Sequence, residues 1–308
     1  MFAHGIKLYS LAVLAVVHAE KLASFSGMLS QGEAQQKQFM RLVSGLDKEV
    51  LSEEYRIHMV GDSTMRNQWS ALCSLLNVKK LFEPTDLAAS PQCVGEGWGS
   101  QRLIATGTFN RLKPILASQM PGILAAATKA YNVSKFDVIY FGSSALHFLQ
   151  LLPARDLGDS FYLNAVNFES GISEMLQVVK SFTTCPIFQT MHYVCDDLYF
   201  GTWAKAFKEN YYGDENNLRN ICQKRVPQSV EVCMNFSFTS KGSITVAQIE
   251  RRGIESANTA VGVVDTYALT YKQCWASSDG RHYLKPLPIF LKALSEQIYA
   301  CQAGTVFA

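Results

Sequence analysis

Short apolar segments alternate with longer segments of helical periodicity along most of the chain. The predicted strands are rich in β-branched and aromatic residues and cover residues 55–60, 101–106, 136–141, 185–190 and 261–265. The predicted helices, with apolar residues three or four positions apart, cover residues 64–76, 113–131, 164–182, 244–257 and 286–299. Pro121 and Gly122 are expected to break or kink the second of these helices. This alternation predicts a three-layer α/β/α sandwich with a mainly parallel sheet.

Two segments interrupt the alternation. Residues 78–99 contain two prolines and three glycines and are expected to be irregular. Residues 194–238 are aromatic and charged, contain three cysteines, and are predicted to form a disulfide-pinned insertion. Because no sharp change of composition divides the rest, residues 55–308 are predicted to form one domain, preceded by a leading helix or tether over residues 20–54.

Residues 1–19 are predicted to be a cleaved secretory signal. A weakly basic start is followed by the apolar residues 8–17, and Val17-His18-Ala19 has the small residues that a signal peptidase reads. The apolar stretch is too short to span a bilayer comfortably, so no stable membrane span is expected beyond a possible signal anchor. A buried N-terminal helix is the other alternative.

The cysteine content fits the same compartment. The eight cysteines all follow the predicted signal and predict up to four disulfides, with their connectivity left open. Asn132-Val133-Ser134 and Asn235-Phe236-Ser237 are N-glycosylation acceptors. Together these features predict a secretory-pathway protein, either in the Golgi or ER lumen or outside the cell.

The charge pattern and the spacing of polar residues argue against several classes of partner. The net charge is only +2 and no long basic run is present, so a nucleic-acid partner is not expected. No CxxC pair or HExxH motif occurs, so we expect neither a zinc site nor any other metal or cofactor.

Ser63 lies at a predicted turn between a strand and a helix. This arrangement would present the hydroxyl at the carboxyl end of the sheet, where open α/β sheets bind their ligands. Asp, Ser and Thr are also common helix N-caps, so Gly61-Asp62-Ser63 alone favours capping over catalysis. A second motif near the C-terminus changes this balance.

Asp279 and His282 are three positions apart before the last predicted helix. That spacing allows the Asp carboxylate to reach His Nδ1 while Nε2 points outward, as a serine nucleophile requires of its base. The predicted strand at residues 261–265 would bring this pair to the same sheet edge as Ser63. The alternative is an N-cap Asp beside an exposed His.

These motifs resemble those of the SGNH (GDSL-type) hydrolase superfamily. More narrowly, the run GDSTMRNQW beginning at Gly61 is similar to the PC-esterase group, which includes plant trichome-birefringence-like polysaccharide O-acetyltransferases. The run DGRHY beginning at Asp279, preceded by VDTY beginning at Val264, is similar to the closing block of the wider group. The chain lacks the plant enzymes' Cys-rich segment before the GDS block and their DCxHWC ending, so plant-type substrate choice is not implied.

The resemblance implies a role for each matching residue. Ser63 would be the nucleophile, His282 the base and Asp279 the orienting acid, with the Ser63 backbone N–H in the oxyanion hole. The superfamily adds a Gly and an Asn from two further blocks. The third block here has no Asn, so Gly142 and Ser143 are stand-ins. Several glycines compete for the other position, and they are Gly95, Gly97, Gly99 and Gly107.

Other polar and aromatic residues are weaker site candidates. Arg66, one turn into the helix, is expected to meet either a carboxylate or the substrate. His192 and His147 follow predicted strand ends and either line a substrate groove or are ordinary semi-buried histidines. Three tryptophans are candidates for sugar stacking or core packing, and they are Trp98, Trp203 and Trp275.

The sequence therefore predicts a serine-dependent O-acetyltransferase that moves an acyl group from a donor to a carbohydrate hydroxyl. The same triad could instead pass the acyl group to water, which would make the protein a carbohydrate or general esterase. A third hypothesis, motivated by the missing Asn, is a glycan-binding protein without catalysis.

Overall fold

The computed structural model describes residues 54–75, 91–98, 101–109, 115–145, 167–195, 215–225, 230–235, 239–277 and 279–303, with residues 198 and 227. The predicted signal and nearly all of the tether lie outside these ranges, as do His147, Trp203 and Gly99. The expectations for those residues remain predictions.

A six-stranded sheet forms the centre of the molecule. Its strands are β1 (Glu54–Gly61), β2 (Gln92–Trp98), β3 (Gln101–Phe109), β4 (Phe136–Gly142), β5 (Thr183–Gln189) and β6 (Gly262–Val264), in the spatial order β2-β3-β1-β4-β5-β6. β2 pairs antiparallel with β3, and every other pair is parallel. The predicted α/β fold with a mainly parallel sheet is confirmed.

Helices cover both faces of the sheet. They are α1 (Ser63–Leu75), α2 (Met120–Tyr131), α3 (Phe168–Lys180), α4 (Glu215–Arg225), α5 (Val230–Asn235), α6 (Ser240–Ser256), α7 (Thr266–Thr270) and α8 (Leu287–Gln302). One buried cluster joins α1 and α8 to the sheet, and a second joins α2, α3 and α6 to the opposite face. Consecutive strand residues pack on opposite faces of the sheet, so Tyr140 belongs to the first cluster and Phe141 to the second. None of the helices in the described ranges is long and apolar enough to cross a membrane.

Two predictions about local structure were wrong. Residues 78–99 were expected to be irregular, but β2 forms there because pairing with β3 overrides the weak strand preference of its glycines. Pro121 was expected to break or kink a helix, yet α2 begins at Met120 and places Pro121 in its first turn. A backbone N–H is unpaired at that position in any helix, so proline is tolerated there.

Four disulfides use all eight cysteines: Cys73–Cys93, Cys185–Cys301, Cys195–Cys274 and Cys222–Cys233. The last joins α4 to α5 within the predicted insertion, whereas Cys195 pairs outside it. Four disulfides are consistent with a secreted or lumenal protein.

Candidate active site

The candidate site lies at the carboxyl edge of the sheet. β1 lies within the sheet. The chain continues from it through the edge strand β2 to β3 on one side, and then crosses to β4 on the other. This reversal of strand order is the position at which α/β sheets form a ligand crevice. The segments after β1, β4, β5 and β6 all converge there.

Asp62 and Ser63 have different roles at the start of α1. The Asp62 carboxylate accepts hydrogen bonds from the Thr64 backbone N–H at 2.8 Å and the Thr64 hydroxyl at 2.6 Å. Asp62 is therefore the helix cap. Because the cap is supplied by its neighbour, the Ser63 side chain is available for another contact.

The Ser63 hydroxyl meets the histidine that the sequence pairs with it. Ser63 Oγ lies 2.7 Å from His282 Nε2, and His282 Nδ1 lies 2.6 Å from Asp279 Oδ2. Residues 219 positions apart in the chain thus form one continuous hydrogen-bonded row. Both distances fall within the range expected of a nucleophile, a base and an orienting acid.

A tight turn orients Asp279 and His282. Asp279 Oδ1 accepts hydrogen bonds from the backbone N–H groups of Arg281 at 3.2 Å and His282 at 2.8 Å. Gly280 lies between them with φ at 84°, a conformation that glycine adopts without strain. Its carbonyl accepts a 2.8 Å hydrogen bond from the Cys195 N–H, so the loop after β5 supports the turn.

The electrostatic environment keeps Asp279 ionised. Burial alone would raise the pKa of this carboxyl, but the hydrogen bonds and charge of His282 outweigh that effect and hold the pKa well below its usual range. The site therefore retains a carboxylate that can stabilise a protonated His282 when the ring takes a proton.

Buried polar contacts hold α1 against the sheet beneath Ser63. Gln68 Nε2 donates to Gln189 Oε1 at 2.8 Å, and the Tyr140 hydroxyl donates to Gln68 Oε1 at 2.9 Å. Gly61 is required by close approach, because a side-chain Cβ there would come within 2.6 Å of Met65 Cβ. Trp69 is buried in the cluster that joins α1 and α8 to the sheet. Packing therefore explains Gly61, Gln68 and Trp69 of the GDSTMRNQW run.

A small cavity lies next to the start of α1 and is lined by sequence neighbours of Ser63 and His282, although neither Ser63 nor His282 itself lines it. Its volume is about 20 Å³, room for roughly one water molecule or one small polar group. Its wall includes both sequence neighbours of Ser63 and the residue before His282, together with the ends of β4 and β5. Its polar lining residues include Asp62, Thr64, Ser144, His192, Glu250 and Arg281.

Two buried side chains on this wall have polar atoms without a partner. Ser144 is 5% exposed and His192 is 6% exposed. Within the part of the chain that the structure describes, the Ser144 hydroxyl and both ring nitrogens of His192 make no hydrogen bond, although the Arg281 backbone approaches the His192 ring. Burial lowers the pKa of His192 to about 4, with the nearby Asp62 charge opposing the shift, so its ring is neutral at pH 7.

Gly142 and Ser143, the predicted stand-ins, lie at the end of β4 and line the cavity. The Ser143 hydroxyl, however, donates to Glu250 Oε1 at 2.7 Å and is already engaged. The unpaired hydroxyl belongs to the next residue, Ser144, whose φ of 55° is uncommon for a serine. The sequence signal for Ser144 was weak, because burial and missing partners cannot be read from one sequence.

Glu250 was also missed. It lies on the buried face of α6 together with Val246 and Gly253, and its second oxygen accepts a 2.8 Å hydrogen bond from the Met191 N–H. The sequence did contain a signal for Glu250, because this carboxylic acid falls within the apolar stripe of the predicted helix. Acidic residues are buried in such positions only when they have a partner.

The structure does not bring Gly97 to Ser63. Gly97 precedes Trp98, which pairs with Gln101 at the amino end of β3, whereas Ser63 follows the carboxyl end of β1. The competing Gly107 lies nearer the carboxyl edge of the sheet, where it pairs with Met59. Its backbone N–H, however, already donates a hydrogen bond to the Pro91 carbonyl.

Arg66 is half-buried in α1 and forms no ion pair with any residue that the structure describes. Of the three candidate tryptophans, Trp275 is 53% exposed and lies on the segment leading to Asp279. In the described ranges, no three His, Cys, Asp or Glu side chains are grouped so that they could hold a metal ion.

No protein-family model matches the chain, and no curated protein is detectably similar in sequence. Distant likeness to solved structures does exist. An acetylxylan esterase, Axe2 from Geobacillus stearothermophilus, is 11% identical with a TM-score of 0.43, covering 79% of this chain and 94% of its own. LAE5, an α/β hydrolase enzyme from the Lake Arreo metagenome, is 10% identical with a TM-score of 0.41, covering 82% and 96%.

The lipase Lip_vut3 from a goat rumen metagenome is 14% identical with a TM-score of 0.39, covering 80% of this chain and 97% of its own. These values describe a faint similarity of shape. They do not identify the substrate or the reaction of this chain.

Proposed function

We propose that the protein is a serine-dependent acyl-ester enzyme that carries an acetyl group on Ser63 and passes it to a carbohydrate hydroxyl. The observation that carries this proposal is the Ser63–His282–Asp279 row, with contacts of 2.7 and 2.6 Å. A serine hydroxyl is a weak nucleophile until a positioned base takes its proton, and this row supplies the base and its orienting acid.

The first half-reaction forms the acyl-enzyme. Ser63 Oγ attacks the carbonyl carbon of the donor ester while His282 Nε2 takes the hydroxyl proton, and Asp279 stabilises the resulting imidazolium. The tetrahedral intermediate collapses as the bond to the leaving oxygen breaks, and His282 returns its proton to that oxygen. The acetyl group then remains on Ser63 as an ester.

The developing oxyanion needs preorganised donors. The Ser63 backbone N–H belongs to the first turn of α1, where N–H groups have no partner within the helix. The unpaired, buried Ser144 hydroxyl is the second donor that we propose, in place of Gly142 and Ser143. Support comes from the shared cavity, because Ser144 lines it together with both neighbours of Ser63.

The second half-reaction repeats these steps with an acceptor hydroxyl. His282 takes the proton of the acceptor, its oxygen attacks the acetyl carbon, and Ser63 leaves with the proton that His282 returns. A sugar hydroxyl as acceptor gives an O-acetyltransferase and water gives an esterase. The resemblance of residues 61–69 to polysaccharide O-acetyltransferases favours the sugar.

The test uses mature protein, an acetyl ester donor and a panel of oligosaccharides, with mass spectrometry to follow the acetyl group. Acetylated sugar in excess of free acetate is the expected result. Free acetate alone, lost in Ser63→Ala, would make the protein an esterase. If neither product forms and a fluorophosphonate does not label Ser63, the proposed function is wrong and the glycan-binding hypothesis remains.

A further inference from the structure

Glu250 joins the two loops that form the wall of the site cavity. It lies on α6, is fully buried, and points between the ends of β4 and β5. One carboxyl oxygen is 2.7 Å from Ser143 Oγ, in the loop after β4, and the other accepts the Met191 N–H at 2.8 Å, in the loop after β5.

The two contacted residues each precede a polar group that faces the cavity. Ser143 is followed by Ser144, and Met191 is followed by His192, and the polar atoms of these two side chains have no hydrogen-bond partner among the described residues. Fixing Ser143 and Met191 therefore fixes the backbone from which both of these side chains project. A misplacement of about 1 Å in such a group can reduce a rate on the order of 100-fold.

We propose that Glu250 is a positioning residue that holds the Ser144 and His192 loops in register for acyl transfer at Ser63. This role rests on the proposed function, and it adds a residue that does not contact the reacting atoms.

The protonation state of Glu250 gives the proposal a distinctive signature. Burial raises the pKa of this carboxyl to about 8, against the opposing hydrogen bonds from Met191 and Ser143, and the charges of Asp265 and Asp62 raise it further. The carboxyl is therefore neutral at pH 7. In this form its own O–H can donate to Ser143 Oγ across the 2.7 Å contact, whereas the ionised form can only accept the Ser143 proton.

Ionisation of Glu250 would add a negative charge beside the loop that carries Ser144, the oxyanion donor that we propose. The other charged or titratable groups around it are Asp62, Asp265 with its ion-pair partner Arg251, and the cavity-lining His192 and Arg281. Because the pKa of His192 is lowered to about 4, that ring does not titrate near pH 8. We therefore expect kcat to fall above about pH 8.

Three variants separate positioning from a purely structural role. Glu250→Gln keeps an acceptor for Met191 and a donor for Ser143 but cannot ionise, so it is expected to keep near-normal kcat and to lose the decline above pH 8. Glu250→Met removes both hydrogen bonds and is expected to lower kcat about 100-fold with little change in KM. Thr245→Ala removes an α6 side-chain hydrogen bond that stays within the helix, to the Lys241 carbonyl, and is expected to keep both kcat and the pH profile.

The readouts are p-nitrophenyl acetate hydrolysis from pH 6 to about 10, a range chosen to bracket the Glu250 pKa, and the rate at which a fluorophosphonate labels Ser63. If Glu250→Met does not fold, the comparison of wild type with Glu250→Gln decides, because only ionisation distinguishes them. Equal labelling of wild type and Glu250→Met, or an unchanged alkaline decline in Glu250→Gln, would overturn this role alone. Absence of Ser63 labelling in wild type would overturn the proposed function and this role with it.

Discussion

Two carboxylic acids near Ser63 have opposite electrostatic environments. Asp279 is held ionised by its contacts with His282, whereas Glu250 is held neutral by burial. The difference arises from partners, because Asp279 faces a group that can become positive, while Glu250 faces a hydroxyl, an amide and two other carboxylates. Such divergent pairs are typical of sites that move protons.

The raised pKa of Glu250 predicts a pH-dependent cost to stability. A carboxyl with a folded pKa of about 8 and an unfolded value near 4.5 stabilises the fold below the unfolded pKa, and this contribution is lost as pH rises to about 8. As the pH rises from about 4.5 to about 8, the free energy of unfolding of the wild type should decrease by several kcal/mol relative to that of Glu250→Gln. The size follows because each tenfold change in proton affinity is about 1.4 kcal/mol. Urea denaturation of both proteins at pH 5, 7 and 9 (values that bracket the window) measures it, and a constant difference would contradict the burial of a neutral carboxyl.

Trp275 is expected to contribute to glycan binding. It is exposed in the short 3₁₀ helix before Ser277, whose hydroxyl donates to the His282 carbonyl, so it lies close to the triad. Trp275→Ala should raise KM for an oligosaccharide acceptor on the order of tenfold, the loss of about 1.4 kcal/mol of stacking, and leave p-nitrophenyl acetate hydrolysis unchanged. Tyr299→Ala is the control. This aromatic residue is similarly exposed but lies near the C-terminal end of α8, whereas Trp275 lies before α8 begins. Equal effects of the two substitutions would exclude a specific stacking role.

At the level of elements, the loop that carries Asp279 and His282 is joined covalently to the loop after β5. Cys195 is buried, forms a disulfide with Cys274, and donates its N–H to the Gly280 carbonyl. Asp279 and His282 therefore reach Ser63 from a segment that is attached to the loop after β5 by a disulfide and by a backbone hydrogen bond.

Removing the Cys195–Cys274 disulfide should reduce activity as well as stability. The double variant Cys195→Ala/Cys274→Ala is expected to lower kcat at least about tenfold, because the turn at Gly280 loses one of its supports. Cys222→Ala/Cys233→Ala removes the buried disulfide between α4 and α5 and should lower only the thermal midpoint. Chain-entropy estimates for closing 79 and 11 residues are about 4.5 and 2.8 kcal/mol. Equal activity of the two folded variants would show that the first disulfide does not position the triad.

Elements with strong local patterns were predictable from the sequence. β1, β4 and α8 follow directly from apolar periodicity, and Asp279 with His282 follows from a three-residue spacing. β2 was missed because its glycine-rich sequence has little intrinsic strand preference and depends on pairing with β3. Ser144 and Glu250 were missed for a related reason, since the burial of the Ser144 hydroxyl and the hydrogen bonds of Glu250 both depend on segments distant in the chain.

At the scale of the whole molecule, the sheet separates the candidate site from the exposed sequon at Asn132. Asn132 ends α2 with φ at 53° and precedes the amino end of β4, whereas Ser63 follows the carboxyl end of β1. A glycan at Asn132 would therefore project from the opposite edge of the sheet.

Expression through a secretory pathway that glycosylates should place a glycan on Asn132. Peptide mass spectrometry with and without glycosidase treatment measures occupancy. Asn132→Gln is expected to remove the glycan and leave kcat unchanged, because the residue is remote from the triad. A secreted protein with Asn132 unoccupied, or a large loss of kcat in the folded variant, would contradict this orientation.

The central claim is that Ser63 carries the acyl group. The most direct measurement is rapid quenching of the protein with p-nitrophenyl acetate, followed by intact-mass and peptide mass spectrometry, with Ser63→Ala as the control. We predict one acetyl group per chain, located on Ser63 and absent from the variant. Turnover that persists in Ser63→Ala, or an acetyl group on another residue alone, would contradict the claim.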